Sequence, residues 1–210
     1  MTIEIGPLVE PLAVVTGIAA VALTVRQQMI NWPVGIVSTA LFLLLFVEAG
    51  LYADSALQLL YIGLGFYGWW HWLRAGPPGG DLPVTTTSRK GWLMLGVVTI
   101  MGTLALGLFL DAATDSTLPY PDAATTVLSI AAQLLLTRKK VESWPVWIFG
   151  VNIPYIAIYL VKGLALTAAL QVVFIALSIW GWAAWRRSMG ARPTPTSAEL
   201  SAVTVGEGAE

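Results

Sequence analysis

Trp144, Trp147 and Asn152 stand within the nine-residue run WPVWIFGVN, which is otherwise apolar. At about 3.6 residues per turn an i, i+3 pair shares one helix face, and the eighth residue on returns close to it. Two indoles beside an uncharged amide make a surface on which a flat heterocycle can stack. A positively charged ring would add a cation–π attraction of about 0.5 to 2 kcal/mol. More amides and phenols interrupt other apolar runs: Gln58 with Tyr61, Gln133, Gln171, and Tyr155 just beyond Asn152. Neutral amides recognise neutral polar groups. A buried amide is costly unless paired, so Gln58 and Gln171 either bond between helices or face a solute. Trp144, four residues past Lys140, reads equally well as an interfacial ring. Trp69, Trp70, Trp72, Trp182 and Trp185 are expected in that interfacial belt.

Covalent and metal chemistry has little to work with. His71 is the single histidine, there is no cysteine, and neither a GxxxxGK phosphate loop nor a pair of carboxylates lies inside an apolar run. His71, between Trp70 and Trp72, reads as an interfacial residue. No catalysis and no cofactor are expected, and a net charge of −1 gives no case for nucleic acid. Ionisable groups inside a membrane mark ion or proton coupling. Here acids and bases lie at the ends of the apolar runs, which predicts passive, uncoupled transport.

The elements that must hold these side chains are membrane helices. The 210 residues are 57% hydrophobic and 11% charged, against about 25% charged in soluble domains, so the chain is expected to have a lipid bilayer for its solvent. Apolar runs fall at 8–25, 32–47, 56–73, 91–110, 123–137, 144–161 and 164–185. Several are shorter than the roughly 20 residues of a straight span, so Gln27, Gln28 and Thr137 are expected to extend them. Unbroken runs without period-2 alternation exclude a barrel, and the fold class is all-α with seven spans. Met1–Leu12 carries two Glu and no Lys or Arg, so the first run is expected to be a retained span rather than a cleaved signal.

Ten of the eleven Lys and Arg residues follow the first, third, fifth and seventh runs, and only Lys162 falls on the other side. The positive-inside rule then places the N-terminus outside and the C-terminus in the cytoplasm, in a cell, or inner, membrane. Residues 75–90, AGPPGGDLPVTTTSRK, read as a cytoplasmic linker, and the small polar residues of 192–210 as a disordered cytoplasmic tail.

The chain is also written twice. Arg26, Trp32-Pro33-Val34 and Ile36 return 112 residues later as Arg138, Trp144-Pro145-Val146 and Ile148, while Gly50-Leu51, Gln58, Gly68, Trp69 and Trp72 return at 113 as Gly163-Leu164, Gln171, Gly181, Trp182 and Trp185. One residue has therefore been added between Ile148 and Gly163. Each copy holds three spans, so two copies facing the same way need one more span between them. The expected architecture is 3+1+3: a first repeat at 8–73, a linking span at 91–110 and a second repeat at 123–187. Parallel repeats of this kind place a substrate near the midplane between them. The alternative is a non-transporting membrane scaffold in which duplication only builds a stable bundle.

The stretches VLSIAAQLLLTRKKVESWPVW (127–147), NWPVG (31–35), GLYADSALQ (50–58) and YGWWHW (67–72) resemble the nicotinamide riboside transporter family, PnuC, over about residues 10–187. The resemblance implies a SWEET-like seven-span fold that takes up a vitamin-type compound without energy coupling, the substrate then being trapped by a cytoplasmic riboside kinase. It implies nicotinamide riboside as the solute, with thiamine, riboflavin or another nucleoside as alternatives, and leaves assembly into a homo-oligomer open. The family's sixth-span pattern, WxxWxxxN, is met by Trp144 and Trp147, but position 151 is Val and the amide arrives one later, at Asn152. Either a helical bulge near Pro154 restores the face, or Asn152 points elsewhere.

Overall fold

The absence of period-2 patterning and the length of the apolar runs leave the backbone only helices with which to satisfy its polar groups. The computed structural model describes residues 6–48, 52–77, 80–114, 117–161 and 165–190. These form α1 (Gly6–Val25), α2 (Asn31–Glu48), α3 (Tyr52–Arg74), α4 (Arg89–Ala113), α5 (Pro119–Thr137), α6 (Ser143–Val161) and α7 (Ala165–Gly190). The described residues hold no strand, only an isolated parallel bridge between Thr85 and Lys140. The tail at 192–210 lies outside the described residues.

The first helix gains length at its start, from Gly6, and Thr137 closes α5, but Gln27 and Gln28 do not extend α1. They form its Schellman end instead: Gln27 N–H donates to Thr24 O (2.9 Å), Gln28 N–H donates to Leu23 O (3.0 Å), and Gln27 sits in the left-handed region at φ 58°. The second copy repeats the device. Lys139 has φ 52°, its N–H donates to Leu136 O, and Lys140 N–H donates to Leu135 O, both at 2.9 Å. Glycine is the ordinary occupant of such a position, and a side chain there costs about 1 kcal/mol or more. Gln27→Gly is therefore expected to raise the melting midpoint of the detergent-purified protein, since it gives up only an exposed bond to Ser188; a lowered midpoint would contradict this.

Helices α1, α2, α4, α6 and α7 are long and apolar enough to cross a membrane. Helices α3 and α5 fall short in apolarity, because they carry Asp54, Ser55, Gln58 and Tyr61, and Asp122, Thr125, Thr126, Ser129 and Gln133. Their lengths still suffice: 23 and 19 residues span about 34 and 28 Å, against a hydrocarbon core of about 30 Å.

The helices close a ring. Helix α1 packs on α2, α2 on α3, α3 on α5, α5 on α6, α6 on α7, and α7 back on α1, while among the described helices α4 packs on α5 alone and stands outside. One end of the ring is filled by four tryptophans. Trp32 and Trp72 meet edge-to-face at 5.3 Å and 89°, their duplicates Trp144 and Trp185 at 5.3 Å and 87°, and Trp72 touches Trp185 across the join at 6.1 Å. Trp185 Nε1 also donates to Thr24 O, 3.2 Å away on the opposite repeat. Trp72 and Trp185, expected at the membrane interface, are instead 3% and 0% exposed. Glycine one turn before each admits the facing ring: Gly68 lies under Trp32, and Gly181 under Trp144. Trp69 and Trp182 pack against this cluster, and Trp70 alone of the five is exposed.

Candidate functional site

Inside the ring lies a cavity of about 430 Å³, within the usual range for small-molecule sites. It is walled by all six ring helices and by no residue of α4. Trp144, Trp147, Asn152, Gln58, Tyr61, Gln133 and Gln171 all line it. Helix α2 adds Asn31, Trp32 and Phe42, and α6 adds Tyr155 and Tyr159, stacked at 5.1 Å.

The added residue of the second repeat determines how α6 presents its side chains. In a regular helix one extra residue turns everything beyond it by about 100°. Here Val146–Asn152 is π-helical, and Ile153 N–H donates to Ile148 O, five residues back. The wider loop absorbs the insertion, so Trp144, Trp147 and Asn152 all reach the cavity. The bulge lies before Pro154 rather than at it, in the stretch bounded by Pro145, neither proline having an N–H to give.

Trp144 is 1% exposed, its ring held on Trp185, whereas Trp147 is only half-buried and keeps ring surface toward the cavity. Several hydroxyls there have already given their proton to the backbone: Thr24 to Ala20 O (2.9 Å), Ser38 to Ala13 O (2.8 Å), and Thr39 to Gly35 O (2.8 Å). Ser129 donates to Thr126 O at 2.7 Å, so in its bond with Tyr61 the phenol is the donor. That pair joins α3 to α5 across the two repeats. Among the described residues none bonds to the amides of Gln58, Gln133, Asn152 or Gln171, so no bond of the interhelical kind ties up Gln58 and Gln171. Amides left so in a cavity are satisfied by water or by a solute.

Among the described residues Asp54 is the only charged member of the wall, and no Lys, Arg or His lines it. The surface is thus neutral to acidic, aromatic, and rich in acceptor oxygens. Among the described residues no group of His, Asp and Glu could hold a metal ion.

The protein-family model described as nicotinamide mononucleotide transporter matches residues 7–187. The chain belongs to this family. Among curated relatives it is 23% identical to the nicotinamide riboside transporter PnuC of Escherichia coli (strain K12), over 86% of this chain and 85% of that one. It is 28% identical to the PnuC of Neisseria mucosa, over 83% of this chain and 70% of that one. A riboflavin/roseoflavin transporter, RibM of Streptomyces davaonensis, is 27% identical over 81% of each chain. A solved structure entitled as the crystal structure of the vitamin B3 transporter PnuC superposes with a TM-score of 0.70 at 25% identity, covering 88% of this chain and 83% of that one. The chain is accordingly an all-helical, multi-pass membrane transporter.

Trp32, Asn31, Ser129, Ser178 and Tyr159 line the cavity without having been singled out by sequence. For Trp32 a signal was present: it is the duplicate of Trp144, and a wall made by one copy has a counterpart in the other. Ser129, Ser178 and Tyr159 carry no such mark, since small hydroxyl residues and tyrosines are ordinary on packed membrane helices.

Proposed function

We propose that the chain carries nicotinamide riboside across the cell, or inner, membrane by facilitated diffusion, as a step in the supply of NAD precursors. The observation that carries this reading is a cavity with aromatic faces and unengaged amides from both repeats and, among the described residues, with no basic side chain. A mononucleotide brings a phosphate, for which membrane and soluble sites alike supply Arg, Lys or helix N-termini. A riboside brings a pyridinium ring, a carboxamide and hydroxyls. The ring suits Trp147, and the carboxamide and ribose suit Asn152, Gln58, Gln133 and Gln171, with Trp144 and Tyr61 completing the walls. The two three-helix units, parallel and related by a pseudo-two-fold axis along the membrane normal, make the two sides of the pathway. The excess of basic residues puts the N-terminus outside and the C-terminus in the cytoplasm, where a riboside kinase would trap the solute. No catalytic step is assigned to the chain itself.

Counterflow into vesicles holding the purified protein tests this: labelled nicotinamide riboside is expected to exchange with no ion gradient imposed. Riboflavin is the competitor to measure beside it, given the Streptomyces relative. In the same vesicles Trp147→Ala is expected to weaken binding roughly five- to thirty-fold, the loss of about 1 to 2 kcal/mol of stacking, with Trp147→Phe retaining part. Exchange of riboflavin alone, or accumulation driven only by a proton or sodium gradient, would overturn the reading.

A further inference from the structure

The segment TRKKVESW, residues 137–144, holds three cations and a carboxylate, yet of these residues only Trp144 reaches the cavity wall. The charged residues hold the linker between the repeats. Thr85 N–H donates to Lys139 O (3.1 Å) and Val141 N–H donates back to Thr85 O (3.0 Å). The Glu142 carboxylate accepts from Thr87 N–H (2.8 Å) and from the Thr87 hydroxyl (3.1 Å). Lys139 Nζ donates to Leu82 O at 2.7 Å while lying 4.6 Å over the ring of Trp72. Lys139 is 3% exposed, and burial holds its ammonium below the ordinary lysine range, a shift that Asp81 partly offsets. Leu82 and Val84 pack directly against the tryptophan cluster. A linker composed like a solvated loop is thus strapped across the end of the ring, over the tryptophans that close the cavity there.

Those tryptophans are poorly satisfied. The indole N–H groups of Trp32, Trp72 and Trp144, and the Ser143 hydroxyl, are buried without a partner. Such a group is expensive in a dry site and is relieved once water reaches it. Four at one place favour separation of the rings, and the strap opposes it.

We infer that residues 80–88, latched by Lys139 and Glu142, form the gate latch on the basic face of this transporter, holding the four-tryptophan plug shut until the latch yields. The inference rests on the cavity being a transport pathway but not on which solute passes.

The chain has no cysteine, so one introduced thiol reports alone. Ser178 lines the cavity on α7, and lies seven residues before Trp185, hence on the same helix face. In a Ser178→Cys protein, a charged, membrane-impermeant thiol reagent applied from the basic face should label slowly. Adding Lys139→Met and Glu142→Gln is expected to speed that labelling about tenfold or more, the weight of charge-assisted hydrogen bonds. Thr87→Val, which removes one arm of the Glu142 clamp, should produce a smaller acceleration of the same sign and serves if the double change fails to fold. A merely structural latch would lower the melting midpoint and leave the labelling rate, measured on folded protein, unaltered. Unchanged labelling in the variants that fold would overturn the inference. No riboside enters this measurement, so faster labelling with no riboside exchange would leave the latch standing and remove the substrate assignment.

Discussion

Gly68→Ala is expected to abolish solute binding, and with it most of the correctly folded protein. A Cβ at Gly68 would lie 2.1 to 2.6 Å from three atoms of the Trp32 ring. That ring cannot slide away, because Trp72 meets it edge-on at 5.3 Å and both are buried in the same cluster. Overpacking of a closed core costs about 1 to 3 kcal/mol and sometimes more, and here the displaced ring is also cavity wall. Gly63, five residues earlier on α3, has nothing within 4 Å of an added Cβ, so Gly63→Ala should behave as the parent. Trp32→Phe combined with Gly68→Ala should recover folded protein by making room. The comparison is made by size-exclusion profile and by calorimetric binding in detergent; parental behaviour of Gly68→Ala would show that the ring is free to move.

Deleting Gly150 should be far less harmful than deleting Ile156, although both shorten α6 by one residue. Gly150 lies inside the π-helical stretch, so its removal lets the helix return to regular geometry with Trp147 and Asn152 still on one face. Ile156 lies in regular α-helix. Its loss turns the segment beyond it by about 100° and swings Tyr159 off the cavity and its stack with Tyr155. Riboside affinity is expected to stay within a few-fold for the first deletion and to fall about a hundredfold or more for the second, on the scale of several lost buried contacts. Equal losses in the two would mean that the bulge does not set the register of the site.

These two experiments mark where sequence could and could not be read. Seven helices and seven cavity residues were legible because hydropathy and polar interruptions in apolar runs are local signals. The shift of offset from 112 to 113 placed an insertion somewhere between Ile148 and Gly163, yet only backbone hydrogen bonding reveals that the turn ending at Asn152 takes it up. Trp72 and Trp185 were misread because a tryptophan near a span end looks the same whether it faces headgroups or another tryptophan. Their burial depends on Gly68 and Gly181 of the same helices and on rings over 100 residues away in the chain. The docking of residues 80–88 was hidden for a similar reason: its partners, Lys139, Lys140 and Glu142, are more than 50 residues distant, and its own composition resembles a solvated loop.

The helix outside the ring bears on how such a gene arises. A three-helix unit copied in tandem would place its second half upside down, and in the proposed 3+1+3 arrangement α4 is the crossing that would let one reading frame encode both halves in the same sense. Because the wall closes without it, α4 contributes length and apolarity to the fold rather than side chains to the site. The positions with a steric demand of their own are Gly91, where a Cβ would meet the Thr87 methyl at 2.9 Å, and Gly102 and Gly107, where it would meet Val127 at 3.2 Å and the Tyr120 ring at 2.5 Å on α5. An α4 drawn from an unrelated membrane helix, keeping those three glycines, should therefore serve as the adapter equally well.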